Sequence, residues 1–316
     1  MRGFTGGRVD LIPHQMYILH EVSSRQSPRV LLSDEVGLGK TIEACLILQR
    51  LRAVGKAERI LILVPESLVH QWFVELLRRF NLWFSIYDEG RCRAAEKSSP
   101  GENPFLDGQM ILCSVDFLAN SEVRSEQAIE AGWDLVVVDE AHHLEWTPEK
   151  SSSEYELVEA LGQKSPGLLL LTATPTQLGL EGHFARLRLL DPNRYSDFEG
   201  FQAESEGFES VARIAGKIVD EEGLSSSDHE ALKLIFDKDL TGLEKRLADF
   251  EKGKRGGKDV LLRALLDEHG TGRVVFRNSR ANMTGFPKRM YCPAPLNAGE
   301  DSKALLNRLA REFEAE

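Results

Sequence analysis

The sequence contains the stretch Asp34-Glu-Val-Gly-Leu-Gly-Lys-Thr41, which follows the apolar run Arg29–Ser33 and opens the amphipathic stretch Thr41–Arg52. A glycine-rich turn between a strand and a helix lets successive backbone N–H groups converge on phosphate oxygens, and the helix N-terminus adds partial positive charge. We expect Lys40 to reach the β- and γ-phosphates of a nucleotide and Thr41 to bind Mg²⁺. The stretch therefore predicts a phosphate loop, with Asp34 at the position where the general pattern has its first glycine.

Short apolar runs recur along the first part of the chain and alternate with amphipathic stretches. The runs are Arg29–Ser33, Arg59–Val64, Met110–Ser114, Leu135–Asp139 and Leu168–Thr172, and the amphipathic stretches are Thr41–Arg52, Ser67–Phe80 and Glu122–Ala131. Near-continuous apolar runs are typical of strands that are buried on both faces, and their alternation with helices indicates a parallel sheet wrapped by helices. The predicted fold class is therefore α/β.

The pattern of the sequence changes after this α/β region, which we assign to residues 1–195. Residues 196–270 are helical and polar and predict a helical insertion or linker domain. Residues 271–316 begin a further segment that is too short to complete a domain. Within the first region, Ser67 is the expected N-cap of a helix, and residues 88–104, rich in Gly, Ser and Pro, predict a solvent-exposed excursion between strands.

Composition restricts the class of protein without identifying it. The net charge is −11, from 39 basic and 50 acidic residues, which would oppose nucleic-acid binding if the charge were evenly spread. Residues 272–292, however, carry five basic residues and no acid, and such a strip can still meet phosphate. The 4 cysteines lack metal spacing, no apolar run approaches the ~20 residues of a membrane helix, and the N-terminus lacks a secretory pattern. We expect a cytoplasmic protein with reduced thiols and no membrane contact.

A pair of acids follows the apolar run that ends at Val138. Asp139 and Glu140 stand at the predicted carboxyl end of a parallel strand, beside the phosphate loop. By itself such a pair is typical of a solvated loop. Together with the phosphate loop, it predicts that Asp139 holds Mg²⁺ and that Glu140 polarises the attacking water, because phosphoryl transfer needs both functions.

Two further stretches are compatible with the same site. Thr172-Ala-Thr174-Pro175 places small hydroxyls after another apolar run and is typical either of a coupling element or of a turn that closes a strand. Gln15 lies upstream of the loop and offers a donor and an acceptor that match an adenine edge.

These stretches give the chain a resemblance to a known family. Asp34–Thr41, Asp139–His142 and Thr172–Pro175 occur in the order and spacing of motifs I, II (the DEAH box) and III of the superfamily 2 nucleic-acid-dependent ATPases. The form of the first motif is similar to that of the Swi/Snf-type translocases, in which an Asp at position 34 is usual. The resemblance implies a RecA-like sheet that binds ATP and Mg²⁺, and a double-stranded DNA track, with RNA left open.

The resemblance also implies roles for individual residues. Catalysis would rest on Lys40, Asp139 and Glu140, with Thr41 and Asp139 as ligands of Mg²⁺. Nucleotide binding would involve Gln15, Asp34, Glu35, Val36, Gly37, Leu38, Gly39, Lys40 and Thr41. Nucleic-acid contact and coupling would involve Pro65, Ser67, Ser114, Thr172 and Thr174, from motifs Ia, Ib and III.

The last part of the chain resembles the basic brace that joins the two lobes in this family. The matching stretches are Arg277-Asn-Ser-Arg280 and Phe286-Pro-Lys-Arg289. They depart from the family pattern, since Asn278 stands where a second Arg is usual and Arg280 and Arg289 stand where Lys is usual. The family's second lobe has no counterpart before Glu316, so we expect a fragment or split product.

Several phrases, among them Arg78–Leu82 and Asp134–Asp139, are closer to a bacterial branch of the family that associates with RNA polymerase. The resemblance then implies RNA polymerase as a partner and polymerase recycling in the bacterial cytosol or nucleoid. An arginine finger from the second lobe is worth ~10³ to 10⁵ in rate, so we expect this chain alone to hydrolyse ATP very slowly.

Three functions remain open from the sequence. The first is a DNA-stimulated translocase lobe, the second a strand-separating helicase, and the third a module that binds nucleotide and polymerase without productive hydrolysis. A small-molecule kinase would share the phosphate loop but has no use for Glu140 or for Thr172–Pro175.

Overall fold

Within the described residues, seven parallel strands form one sheet. In chain order they are Arg29–Leu32 (β1), Ile60–Val64 (β2), Ser85–Tyr87 (β3), Met110–Ser114 (β4), Leu135–Val138 (β5), Gly167–Leu171 (β6) and Val275–Phe276 (β7). Their order across the sheet is β3-β4-β2-β5-β6-β1-β7. The computed structural model describes residues 9, 12–173, 179–219, 223–236, 239–251, 254, 256–268 and 274–278.

The central strands are buried on both faces, as their apolar runs predict. Every residue of β2, β5 and β6 is buried. Alternate residues enter different cores: Ile60, Ile62 and Val64 pack on one face, whereas Leu61 and Leu63 pack on the other. This two-residue period is the normal consequence of a pleated strand. The predicted α/β class, with a parallel sheet flanked by helices, is confirmed.

Eight helices cover the two faces of this sheet in the described residues. They are Pro13–Ser24 (α1), Lys40–Ala53 (α2), Val69–Phe80 (α3), Glu89–Ser98 (α4), Val115–Ala119 (α5), Glu122–Glu130 (α6), Ser153–Lys164 (α7) and Gly179–Leu190 (α8). Helices α1, α2 and α3 bury apolar residues in the core of one face, and α4 to α8 do so in the core of the other. The sheet therefore lies between two helical layers.

One local prediction was wrong in this region, and another was incomplete. Ser67 lies inside a 3₁₀ turn, Glu66–Leu68, and α3 begins only after Leu68, so Ser67 is not its N-cap. The predicted excursion at residues 88–104 does lie between two strands and is mostly exposed, but it contains α4, which the Asp88 side chain caps and which buries Cys92. The polar, Gly- and Ser-containing composition of that segment hides a helix with a single buried position.

Four more helices follow the α/β region: Phe198–Val219 (α9), Ser226–Ile235 (α10), Leu240–Glu251 (α11) and Gly257–Glu268 (α12). They share an apolar cluster of their own, which includes Ile214, Leu232 and Leu261. The division at residues 195 and 270 stays a proposal. Strand β7 falls in the range assigned to the brace, yet it pairs with β1 of the first sheet.

Several predictions lie outside the described residues, including the brace residues from Arg280 onward, the remainder of the 281–316 segment, and Thr174. Among the helices of the described part of the chain, none combines the length and apolar character needed to cross a membrane.

Candidate nucleotide site at the carboxyl ends of the strands

The predicted phosphate loop connects β1 to α2, the strand-to-helix context expected from the sequence. Gly37 and Gly39 have φ values of +83° and +96°, in the left-handed region that favours glycine. Gly39 also lies against Gln15: a Cβ atom at this position would stand 2.6 Å from Gln15 Nε2. A side chain at Gly39 would therefore be strained twice, by its backbone and by its neighbour.

Gln15, on α1, holds the loop directly. Its Nε2 donates a hydrogen bond to the carbonyl of Leu38 over 3.1 Å, and the side chain is 2% exposed. Its Oε1 is buried and has no hydrogen-bond partner among the described residues. The amide thus ties α1 to the loop and leaves an acceptor for a donor that the described chain does not provide.

Lys40 and Asp139 come together at the same edge of the sheet. The Lys40 ammonium donates to the carbonyl of Asp34 over 2.9 Å and so lies across the mouth of the loop. Asp139 follows β5, which is separated from β1 only by β6. Burial raises the pKa of Asp139 above its usual value, and the nearby Lys40 ammonium counters this effect. The carboxylate and the ammonium therefore act on each other electrostatically.

Two N–H groups orient the Asp139 carboxylate. The indole Nε1 of Trp72, on α3, donates to Oδ2 over 2.7 Å, and the backbone N–H of Glu140 donates to Oδ1 over 2.8 Å. Both bonds favour the ionised carboxylate. The sequence gave no sign of this contact, because the two residues are 67 positions apart.

Glu140 has a φ of +49°, one of two non-glycine positive φ values in the described residues. A left-handed conformation at such a residue is strained and is held by its surroundings. The carbonyl of Glu140 accepts from the N–H of His143, and Oε2 lies 3.0 Å from Nδ1 of His142. Burial, with the charges of His143 and Arg186, lowers the pKa of His142, so the imidazole beside Glu140 is neutral at neutral pH.

Asp34 is fully buried and contacts the segment after β7. Its carboxylate accepts from the backbone N–H and the side-chain amide of Asn278, over 2.7 to 3.1 Å, and Glu35 N–H donates to the carbonyl of Asn278 over 3.0 Å. The brace was predicted, but not this contact. The signal in the sequence for this contact was the departure from the family pattern at position 278, because the short amide side chain of Asn278 suits the buried Asp34 carboxylate.

A buried polar cluster lies next to Asp34. Single donor atoms of His14, Asp34 and Glu43 lie within 4.8 Å of one another, and His14 Nε2 is 3.2 Å from Glu43 Oε1. Burial, together with the Asp34 carboxylate, raises the pKa of Glu43 to about 9. Glu43 is therefore protonated at neutral pH, which removes one of two adjacent buried charges.

Three of the residues predicted to contact nucleic acid or to couple its binding to hydrolysis lie at or just after the carboxyl ends of strands. Pro65 follows β2, Ser114 ends β4 and Thr172 follows β6. Ser67 is exposed, whereas Ser114 and Thr172 are buried. Ser114 caps α5, and Asp116 Oδ2 accepts from Glu66 N–H over 3.3 Å, so the loops after β2 and β4 are joined. Thr174 lies outside the described residues.

A groove of about 650 Å³ opens beside these two loops. Three acids line it, Glu66, Glu89 and Asp116, with the apolar side chains of Phe117 and Val123. The Arg124 guanidinium in its wall is already paired with Glu89 and Glu96. This part of the edge is therefore acidic.

The fold is that of an ATPase core, and the predicted phosphate loop and acid pair lie at one edge of its sheet. A family model described as the SNF2-related domain matches residues 15–235, more than half of the 316 residues. The chain therefore belongs to the SNF2-related ATPase domain family.

Individual relatives narrow the comparison. The chain is 54% identical over 299 residues to the RNA polymerase-associated protein RapA of Vibrio cholerae, and 53% identical over 300 residues to that of Vibrio parahaemolyticus. Each match covers 94% of this chain and 31% of the relative, so the chain spans about a third of their length.

Two solved structures share the fold. The Sulfolobus solfataricus SWI2/SNF2 ATPase core in complex with dsDNA has a TM-score of 0.52 at 18% identity, covering 89% of this chain and 47% of that one. The Sulfolobus solfataricus SWI2/SNF2 ATPase core domain has a TM-score of 0.54 at 16% identity, covering 100% and 53%.

Proposed function

We propose that this chain is the ATP-binding lobe of a DNA-dependent ATPase that associates with RNA polymerase and promotes its recycling. One observation carries the nucleotide part: the phosphate loop and the acid pair Asp139 and Glu140 share one sheet edge, with the Lys40 ammonium close enough to Asp139 to affect its pKa. Family membership supports ATP hydrolysis as the reaction.

The residues at this edge fit a magnesium nucleotide. Thr41 carries a hydroxyl in the first turn of α2, and Asp139 offers a carboxylate that two N–H groups orient. Hard oxygen donors of this kind suit Mg²⁺, and Thr41 and Asp139 would hold it. When bound, the ion neutralises charge on the phosphates.

The remaining roles belong to side chains of the chain itself. Lys40 would exchange the Asp34 carbonyl for phosphate oxygens, Glu140 would orient and polarise the attacking water, and the free acceptor Oε1 of Gln15 would meet the adenine amino group. The loop residues Asp34 to Thr41 would surround the phosphates, although the Asp34 carboxylate itself is engaged by Asn278.

The nucleic-acid part of the proposal rests on the loops after β2, β4 and β6. Pro65, Ser67, Ser114, Thr172 and Thr174 would contact the backbone of DNA, or of RNA, or relay its binding to Glu140. The dsDNA in complex with one structural relative and the names of the RapA relatives support DNA and RNA polymerase as partners. A cytoplasmic location follows from the same proposal.

Hydrolysis by this chain by itself is expected to be slow. In related NTPases an arginine finger supplies ~10³ to 10⁵ in rate, and in this family the finger would come from a second lobe. DNA-stimulated phosphate release, measured on this chain and on a longer chain with both lobes, tests the proposal. Stimulation with both lobes supports a translocase, displacement of a labelled strand identifies a helicase instead, and binding of ATP without any release leaves a binding module.

Nucleotide binding is tested most directly at Lys40. Lys40→Ala should weaken the binding of a fluorescent ATP analogue by about a hundredfold, because it removes the charge that faces the phosphates. Lys56→Ala is the matched control, since the Lys56 ammonium bonds to the carbonyls of Ser23, Ser24 and Arg25. Equal binding by the two variants would contradict the phosphate-loop assignment.

Glu140→Gln separates binding from hydrolysis. The variant keeps the shape of the side chain but not its charge, so it should bind ATP normally and lose residual turnover. Loss of ATP binding in this variant would mean that the carboxylate has a structural role.

A further inference from the structure

Arg186 is a buried cation that the proposed mechanism does not use. It lies on α8 and is 0% exposed. Its Nη1 donates one long hydrogen bond, 3.4 Å, to the carbonyl of Ala141, while Nε and Nη2 have no hydrogen-bond partner in the described part of the chain. No ion pair joins Arg186 to an acid among the described residues.

A second arginine shows what a structural role requires. Arg29, at the start of β1, donates four hydrogen bonds to the carbonyls of Gly162, Ser165, Leu189 and Leu190, over 2.6 to 2.9 Å. Every one of its nitrogens has an acceptor. Arg186 is more buried than Arg29, yet it donates one hydrogen bond where Arg29 donates four.

The guanidinium of Arg186 is costly for the fold. Burial lowers the pKa of Arg186 to about 10, so the group remains charged at neutral pH without a neighbouring carboxylate that compensates it in the described structure. A hydrophobic side chain of similar size is often neutral or stabilising at such a place. Packing therefore does not account for an arginine at this position.

The one contact of Arg186 points to the acid pair. Ala141 directly follows Glu140, whose φ of +49° is strained. Within the loop, Leu144 N–H donates to the same Ala141 carbonyl, and His143 N–H donates to that of Glu140. Among the described residues, Arg186 is the side chain from outside the loop that bonds to the Ala141 carbonyl, so it joins the strained turn to α8.

We propose that Arg186 is a positioning residue for Glu140: through the Ala141 carbonyl it holds the turn in which the Glu140 carboxylate faces the nucleotide edge. The proposal rests on the proposed function, because it needs Glu140 to act on the attacking water. In this proposal Arg186 acts through the turn, by its bond to the Ala141 carbonyl, and not by contact with nucleotide or water.

The test compares Arg186→Met, Arg186→Lys and the control Arg188→Met on the full 316-residue chain. Arg188 lies on the same helix, faces Trp146 and pairs with Glu159, and contacts no residue of the nucleotide site in the described structure. Three quantities are measured for each variant: the affinity for a fluorescent ATP analogue, the single-turnover rate of ATP hydrolysis with protein in excess, and the midpoint of urea unfolding.

Arg186→Met should lower the single-turnover rate by about ten- to a hundredfold, since displacement of a catalytic group by about 1 Å has effects of this size. ATP affinity should stay within about twofold and the urea midpoint should be unchanged or higher. Arg186→Lys should recover part of the rate, and Arg188→Met should keep the wild-type rate.

A rate for Arg186→Met within twofold of wild type overturns the proposal, and so does a parallel fall in rate, affinity and urea midpoint without recovery in Arg186→Lys. If Arg186→Met fails to fold, Arg186→Gln replaces it, because it keeps a donor and removes the charge. If the wild-type 316-residue chain binds ATP without measurable turnover, the same variants are compared in a longer chain with both lobes. Absence of turnover in that wild-type chain rejects the hydrolytic part of the proposed function, and the role of Arg186 with it. If the wild-type protein hydrolyses ATP and the Arg186 variants hydrolyse it at the same rate, this proposal alone is rejected.

Discussion

Polar side chains at the amino ends and at the carboxyl ends of the strands differ in how completely they are hydrogen-bonded. At the amino ends of the strands, polar groups are satisfied: Arg29 donates four hydrogen bonds, and the Asp134 carboxylate accepts the N–H groups of Glu58 and Arg59. The Arg59 guanidinium bonds to the carbonyls of Gly132 and Phe105 and lies over Trp133.

At the carboxyl ends, several polar groups of the described residues lack hydrogen-bond partners, although the carboxylates of Asp34 and Asp139 accept hydrogen bonds. Gln15 Oε1 and two nitrogens of Arg186 lack hydrogen-bond partners, and Glu140 is held in a strained conformation. Unmet buried donors and acceptors oppose folding. The comparison indicates that the amino edge contributes stability, while the carboxyl edge keeps groups available for a ligand at a cost in stability.

The largest expected effect is a loss of stability when the hydrogen bonds of Arg29 at the amino edge are removed. Arg29→Met should lower the free energy of unfolding by about 3–5 kcal/mol, because it leaves four carbonyls without their charged donor. Urea unfolding followed by circular dichroism measures this effect. Arg186→Met is the matched variant at the other edge, and an equal loss in both variants would contradict the comparison.

The next effect concerns pH at the carboxyl edge. Burial, with the charges of Arg186 and Arg277, lowers the pKa of His183 to about 4. The folded state favours the neutral imidazole, so the unfolded state binds more protons between the ordinary pKa of about 6.5 and the folded value. Stability from this group is present above pH 6.5 and is lost as the pH falls toward 4, by about 3 kcal/mol in total.

The measurement is the free energy of unfolding of wild type and His183→Gln between pH 7 and pH 4. The difference between the two proteins should shrink or reverse in favour of the variant as the pH falls. A constant difference over this range would show that His183 does not titrate with folding.

A smaller effect is expected for the bond between Trp72 and Asp139. Trp72→Phe keeps an aromatic ring in the core but removes the donor to Oδ2, so the carboxylate loses part of its orientation. Outer contacts of metal ligands are commonly worth about tenfold in metal affinity, and we expect that loss in the Mg²⁺ dependence of ATP-analogue binding. Binding in the presence of a chelator should not change.

Trp133→Phe is the control for this prediction. Trp133 Nε1 donates to the carbonyl of Ala128 over 2.7 Å, near the amino edge. The control should lower stability without changing the Mg²⁺ dependence. If both variants shift that dependence alike, the bond between Trp72 and Asp139 has no special role at the metal.

Most of the sheet was predictable because its central strands are apolar runs. The two strands that were missed have weak local signals: Ser85–Tyr87 is only partly buried, and Val275–Phe276 is two residues long beside basic residues. The second of these pairs with β1, more than 240 positions earlier, and such pairing leaves no mark in a local window.

The candidate site also contains features that the sequence predicted and features that it did not. The phosphate loop and the acid pair were predicted from residue type and spacing, since each chemistry needs its groups within one short segment. The supporting contacts of Trp72, Asn278 and Arg186 were not, because their partners lie 67, 244 and 45 positions away.

The sequence by itself determined the α/β class, the phosphate loop and the acid pair, because apolar periodicity and glycine-rich turns are properties of contiguous segments. Only the tertiary structure decided that Asn278 would engage Asp34, that Trp72 would orient Asp139, and that Arg186 would be buried against the turn after Glu140. These contacts depend on how helices pack on the sheet, and packing brings together residues whose separation along the chain carries no information about their distance in space.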